Sequence, residues 1–155
     1  MTEKEFTAAA ERHLDMVYRV ALNCLRNQAD AEDAAQTVLL RLWQSGQAFP
    51  NDDQLRYWLV RVTVNVCKDV LRSPWRRRMV ALDHCREPAF AAPEHQALYA
   101  EVMALPAKYR LPLYLYYYEG YTAPEVGELL GLKPSTVQTR LSRAREKLKA
   151  QLKEE

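Results

Sequence analysis

The sequence predicts an all-helical, all-α protein of two small helical domains joined by a flexible linker. Three observations lead there. Apolar residues recur at steps of three and four over long stretches, as one buried helix face requires. No segment alternates apolar and polar residues in the manner of a half-buried strand. The chain has 155 residues with only 4 glycines and 8 prolines, and Pro74, Pro88 and Pro93 punctuate one stretch through which no helical stripe continues. Residues 1–72 are therefore expected to form an N-terminal helical domain, 73–93 a linker and 94–155 a C-terminal domain.

In the N-terminal domain, Asp30 is placed to cap a helix that runs to about Gln44, with acids at its start where the macrodipole favours them. Ala31, Ala34, Ala35, Val38 and Leu42 make its core stripe. Leu39, Leu40 and Trp43 extend the apolar surface onto a second face beside Glu32, Asp33 and Gln36. An apolar flank rimmed by acids suits docking of another protein, the alternative being that both faces are buried within the domain.

A second helix is expected from about Asp53 to Arg72. Leu55, Leu59, Val62, Val66 and Val70 share one side, and Tyr57, Arg61, Asn65, Lys68 and Arg72 follow each other on the opposite one. An aromatic ring with basic and amide groups along one helix can stack bases and neutralise phosphates of single-stranded or melting DNA. A solvated helix face is the plainer alternative. Trp58 falls near the core stripe and is expected to pack there.

The linker, Ser73 to Pro93, carries the basic run Arg76, Arg77 and Arg78. Beyond it the C-terminal domain reads as a helix-turn-helix. Thr122 followed by Glu125 is a capping box, Gly131 follows Leu129 and Leu130 where a left-handed residue stops a helix, and Pro134 fits the first turn of the next one. Val137, Leu141, Ala144, Leu148 and Leu152 form the core stripe of that last helix. Its other faces carry Ser135, Thr136, Gln138, Thr139, Arg140, Ser142, Arg143, Arg145, Lys147 and Lys149, groups that bond base edges or phosphates. From Lys133 to Lys153 there are seven basic residues against the single acid Glu146, whereas the whole chain stands at +2. Positive charge is thus gathered where a recognition helix would lie.

Other classes find little support. No apolar run approaches a membrane span, since Arg19 and Asn23 break Val17 to Leu25, and no signal peptide is recognisable, so a cytoplasmic protein without membrane insertion is expected. Cys24, Cys67 and Cys85 lack paired spacing and are expected as free thiols, with no metal site and no cofactor. His84 beside Cys85 is the one pair suggestive of catalysis, but it lacks an orienting acid at known spacing, and His13 and His95 have no motif around them, so an enzyme is not expected.

Taken together, these residues resemble the sigma-70 family of bacterial transcription initiation factors, in its compact extracytoplasmic-function (ECF) branch. The run Asp30 to Gln36 with Trp43 looks like the family's core-polymerase-binding helix, and Trp58, Leu59, Arg61, Asn65, Asp69 and Arg72 match its minus-ten segment. Leu105, Pro106, Lys108, Tyr109, Arg110, Glu119, Gly120, Gly131, Thr136, Val137, Arg140 to Arg145 and Leu148 sit as in its minus-thirty-five domain. The chain departs from the pattern at Thr37, Val38, Leu55, Thr63 and Gln138. Gln138 stands where Lys is common, and an amide can bond adenine bidentately.

The resemblance implies core RNA polymerase and promoter DNA as partners. Asp30, Glu32, Asp33, Gln36, Leu40 and Trp43 would dock on polymerase. The loop from Ser45 to Asp53 would receive a base flipped from the minus-ten strand, with Asn51 and Asp52 as its readers. Tyr57, Arg61, Asn65, Lys68 and Arg72 would hold the opening duplex. Lys133, Ser135, Thr136, Gln138, Thr139, Arg140, Ser142 and Arg143 would read the minus-thirty-five element. An anti-sigma factor is a further implied partner, competing for these surfaces, although no docking motif for one is visible. A stand-alone helix-turn-helix regulator is the alternative; it accounts for the C-terminus but leaves both N-terminal stripes unexplained.

Overall fold

The structure, a computed structural model, describes residues 1–73 and 96–153. The regular structure of these residues is entirely helical, with no strand among them, and they fall into two compact units on either side of the 74–95 stretch. The expected linker beyond Ser73, together with His84, Cys85 and His95, lies outside the described residues.

The N-terminal unit packs three helices. α1 spans Glu3–Leu25 and starts in a capping box: the Glu5 amide donates to Thr2 Oγ1 at 3.1 Å, and the Thr2 amide donates to Glu5 Oε2 at 3.2 Å. It stops at Arg26, which takes the left-handed conformation at φ 55°. α2 spans Gln28–Ser45 and is capped by Asn27, whose Oδ1 accepts from the Asp30 amide at 2.9 Å. This corrects the expected cap at Asp30: an Asn three residues upstream already satisfies the orphaned amide, which leaves Asp30 inside the first turn. Gly46, at φ 62°, ends α2.

α3 spans Asp52–Arg72, capped by Asn51, whose Oδ1 accepts from the Gln54 amide at 2.9 Å. Its buried face is wider than the expected stripe. Leu55, Leu59 and Val66 are buried as expected, joined by Val60, Thr63, Val64 and Cys67, while Val62 and Val70 are only half-buried. The reason is that α3 packs on α1 and α2 together, so two neighbouring faces are covered. Thr63, unusual in so apolar a place, is accommodated because its hydroxyl donates to the Leu59 carbonyl one turn back, at 2.6 Å. The core lies where Val17, Val20, Ala21 and Leu22 of α1 meet Ala31, Ala34, Ala35, Val38 and Leu42 of α2 and Leu59, Val60 and Val64 of α3. The alanines let α1 and α2 approach closely.

The C-terminal unit has four helices, α4 (Gln96–Ala104), α5 (Ala107–Leu113), α6 (Ala123–Leu130) and α7 (Pro134–Lys153), with a π-helical turn at Tyr114–Tyr118 after α5. α7 packs on α5 and α6 and, more lightly, on α4. Val137, Leu141 and Ala144 are fully buried, but Leu148 is half-buried and Leu152 is 45 % exposed. The expected core stripe therefore fades over the last turns, where α7 runs past the helices that cover it.

Candidate nucleic-acid interface

In α2, Glu32, Asp33, Gln36, Leu40 and Trp43 are all exposed, and their spacing in threes and fours sets them on one side of the helix, opposite the alanine stripe. Leu40 is 54 % and Trp43 46 % exposed, large values for apolar side chains on a helix whose other face is fully buried. Trp43 is not loose: the Phe6 ring of α1 meets it edge-on at 5.3 Å between centroids. Leu39 is half-buried and Asp30, also half-buried, lies at the edge of the face. Glu32 is close enough to Tyr18 of α1 that burial first, and the Glu32 charge second, push the Tyr18 phenol above its ordinary range.

Between α2 and α3, the two side chains expected to read a flipped base each have one oxygen already engaged. Asn51 Oδ1 caps α3. Asp52 Oδ1 accepts from Arg12 Nε at 3.2 Å, from Arg12 Nη2 at 2.9 Å and from His13 Nε2 at 2.9 Å. His13, with 5 % of its surface exposed, is held against this carboxylate from α1. Sequence reasoning missed His13, because its partner lies 39 residues away and no motif links them. The start of α3 is thus tied to α1, and Asn51 Nδ2 and Asp52 Oδ2 are the atoms left to face a ligand.

The His13 hydrogen bond is the largest influence on Asp52; burial opposes it and Arg12 adds to it, so the carboxyl sits below its ordinary range. Its folded pKa is thus lower than the unfolded value of about 3.9. The resulting stabilisation is complete above that value and is lost as pH falls through the folded pKa. Because half of the Asp52 side chain is exposed, the effect should be at most about 1 kcal/mol. Urea midpoints measured from pH 7 down to pH about 3 should drop more steeply for the wild type than for Asp52→Asn; parallel curves would show that the ion pair contributes nothing.

Along α3, Arg61, Asn65 and Arg72 are exposed, while Tyr57 and Lys68 are half-buried, so the polar stripe lies on the surface with two of its members partly sunk. Trp58 packs as expected, with the Phe49 ring edge-on at 5.6 Å.

In the C-terminal unit the expected helix-turn-helix is present. Thr122 and Glu125 make both bonds of the capping box, at 2.9 and 3.3 Å, and Gly131 closes α6 at φ 71°. Gly127 matters as well. A Cβ there would stand 2.5 Å from the Leu132 carbonyl oxygen, so the turn passes directly over it. On α7 and just before it, Lys133, Ser135, Gln138, Thr139, Ser142 and Arg143 are exposed and Thr136 and Arg140 are half-buried. Ser135, Gln138, Thr139 and Ser142 succeed each other on the face opposite Val137, Leu141 and Ala144, a surface able to enter a groove. Arg145 of α7 donates to the Tyr117 hydroxyl, with its guanidinium 5.9 Å from that ring's centroid.

Two buried polar residues hold this unit together. Arg110, 2 % exposed, donates through Nη1 to the Leu105 carbonyl at 2.7 Å and, more weakly, to Met103 at 3.4 Å. Glu119 accepts from the Tyr114 hydroxyl at 2.6 Å. Among the described residues no group of three or more His, Cys, Asp or Glu side chains could hold a metal ion, and no helix is long and apolar enough to cross a membrane. Cys24 and Cys67 are buried and neither is in a disulfide.

Comparison with known proteins gives this geometry a context. The family model for sigma-70 region 2 matches residues 9–77, and that for sigma-70 region 4 matches residues 95–148. The chain is 35 % identical to the ECF RNA polymerase sigma factor SigE of Mycolicibacterium smegmatis over 89 % of its own length, spanning 58 % of that relative. It is 30 % identical to the ECF RNA polymerase sigma factor SigL of Mycobacterium tuberculosis over 95 % of its length and 88 % of SigL. Its fold is similar to that of the sigma factor RpoE from Bartonella quintana, solved with the anti-sigma factor NepR, with a TM-score of 0.76 at 21 % identity over 97 % of this chain and 98 % of that one. With two family models matched in order and a relative 30 % identical over 95 % of its length, the chain belongs to the sigma-70 family, in its extracytoplasmic-function branch.

Proposed function

We propose that this chain is a dissociable, cytoplasmic specificity subunit of bacterial RNA polymerase, which brings the polymerase to a promoter and assists the melting of its DNA, and that it is not itself an enzyme. Residues 1–72 would serve polymerase and minus-ten binding, 94–155 minus-thirty-five binding, with 73–93 linking them. The observation that carries this reading is the pairing, within one unit, of two unlike surfaces: an apolar, acid-rimmed face on α2 and a mainly cationic stripe on α3. A DNA-binding regulator acting alone has no use for the first.

Asp30, Glu32, Asp33, Gln36, Leu40 and Trp43 would dock on polymerase, with Leu40 and Trp43 as its apolar anchors. Asn51 and Asp52 would meet the flipped base through the atoms that capping and the Arg12 and His13 bonds leave open. Tyr57, Arg61, Asn65, Lys68 and Arg72 would hold the separating strands, and unstacking a base costs a few kcal/mol that these contacts must offset. Lys133, Ser135, Thr136, Gln138, Thr139, Arg140, Ser142 and Arg143 would read and position the minus-thirty-five element. A protein inhibitor of the kind bound to the Bartonella sigma factor would compete for these faces.

Run-off transcription tests the proposal. Core polymerase with the chain added should initiate at discrete sites on genomic fragments where core alone does not; the absence of any such site would refute it. On a responsive promoter, Gln138→Ala or Arg140→Ala should cost about 1–3 kcal/mol of discrimination at the base each reads. Unchanged base preference in both variants would remove α7 as the reading helix.

A further inference from the structure

The loop between α2 and α3 is held along its length. Where it leaves α2, the Ser45 hydroxyl donates to the Leu42 carbonyl at 2.8 Å and Gly46 takes the left-handed conformation. In its middle the half-buried Phe49 ring meets Trp58 edge-on at 5.6 Å. Where it enters α3, three donors from α1 meet one oxygen: Arg12 Nε, Arg12 Nη2 and His13 Nε2 stand 3.2, 2.9 and 2.9 Å from Asp52 Oδ1. An ionised carboxylate only accepts, so His13 carries a proton on Nε2. Among the described residues nothing donates to Asp52 Oδ2. That asymmetry has a geometric consequence. A carboxylate on an exposed side chain turns about its Cβ–Cγ bond and offers either oxygen, whereas three donors on Oδ1 fix the direction of Oδ2 as well. His13 cannot swing away, because its ring is buried. Stability does not explain the arrangement, since an ion pair half in solvent contributes little.

We propose that Arg12 and His13 are positioning residues for base discrimination in the minus-ten element: they clamp Asp52 Oδ1 so that Oδ2 presents a fixed acceptor to the edge of a flipped base. The neighbouring Asn51 supplies the accompanying donor, for its Oδ1 is engaged by the Gln54 amide and its Nδ2 is not. This role rests on the reading of Asn51 and Asp52 as the residues that meet that base, and it brings α1 into promoter discrimination. A base edge with a donor next to an acceptor matches the pair. A loop set beforehand has less freedom to lose when the base arrives, and a carboxylate held in one direction separates matching from mismatching edges more sharply than one free to turn. Neither Arg12 nor His13 needs to touch DNA.

Initiation by core polymerase with the full chain tests this, on four templates of one responsive promoter that differ only at the minus-ten position where Asp52→Ala changes base preference. The readout is the ratio of initiation rates between the best and the worst base, because a loss of folded protein or of polymerase affinity lowers all four rates alike and leaves the ratio unchanged. Arg12→Leu, at an exposed position, and His13→Leu, which keeps the buried volume, should each lower the ratio by about fivefold. His13→Gln, whose amide nitrogen can take the place of Nε2, should restore it. In the Asp52→Ala background neither Leu substitution should alter the ratio further. Should His13→Leu fail to fold, as circular dichroism would show, Arg12→Leu decides. Ratios left unchanged by the Leu variants, where Asp52→Ala does change preference, would overturn the clamp and leave Asp52 as a reader. Losses that persist in the Asp52→Ala background would overturn it too, since Arg12 and His13 would then act on DNA directly. An Asp52→Ala variant with intact preference at every minus-ten position would remove Asp52 as a reader, and the clamp with it.

Discussion

Gly127→Ala is expected to destabilise the C-terminal unit by about 1–3 kcal/mol, seen as a lower urea midpoint of its unfolding. Helix propensity alone argues the other way, since Ala in a helix interior is preferred over Gly by about 1 kcal/mol. Sterics decide. The added Cβ would meet the Leu132 oxygen at 2.5 Å, with the Leu132 carbonyl carbon at 3.5 Å and Val137 Cγ2 at 3.6 Å. That backbone has little room to retreat, because the Leu132 amide donates to the Gly127 carbonyl at 2.8 Å and Val137 is fully buried. Any relief must come from moving the turn, and α7 moves with it. Gly131→Ala makes a useful contrast: nothing lies within 4 Å of its Cβ position, so only the left-handed backbone opposes the change, at about 1–2 kcal/mol. Gly127→Ala should therefore also weaken DNA binding more than Gly131→Ala does. A Gly127→Ala variant as stable as the wild type would show that the close approach is not rigid.

Arg110→Ala should cost the same unit about 2–5 kcal/mol, the cavity adding to the lost hydrogen bonds. The guanidinium is 2 % exposed, and its bond to the Leu105 carbonyl ties the start of α5 to the end of the α4 segment. Truncation removes the donor, leaves buried carbonyls short of a partner and opens a cavity. Arg110→Met separates these effects, because it refills most of the volume and donates nothing. Thermal unfolding followed by circular dichroism should rank wild type above Met and Met above Ala. A Met variant equal to the wild type would reduce Arg110 to a filler of space.

How far the fold could be read in advance follows from where its signals lie. The helix-turn-helix was legible because its punctuation is local: a Thr and a Glu three apart, a Gly after two leucines, a Pro at the next start. Gly127 escaped notice because a glycine inside a helix announces its reason only when the residue packed against it is known. α1 had no place among the sequence-based elements, although Thr2 and Glu5 carry the same capping signal as Thr122 and Glu125. On α2, spacing separates the Leu40 and Trp43 flank from the core stripe without deciding whether it is buried, and Asn27 and Asp30, three residues apart, are equally good caps by residue type. The buried face of α3 was read too narrowly, since periodicity shows one stripe and cannot say that two neighbours will cover the helix. Contacts between distant residues left no trace in the sequence. His13 with Asp52 and Arg145 with Tyr117 each join helices whose packing had to be known first.

Docking of the exposed face of α2 on RNA polymerase is read out by size exclusion of the chain mixed with bacterial core RNA polymerase. Wild type should co-elute with the polymerase. Leu40→Asp and Trp43→Ala, both at exposed positions and so expected to keep the fold, should each lose at least about 2 kcal/mol of affinity and elute apart. Failure of the wild type to co-elute, together with tight binding of DNA by the chain alone, would refute polymerase docking and make the chain a stand-alone DNA-binding regulator.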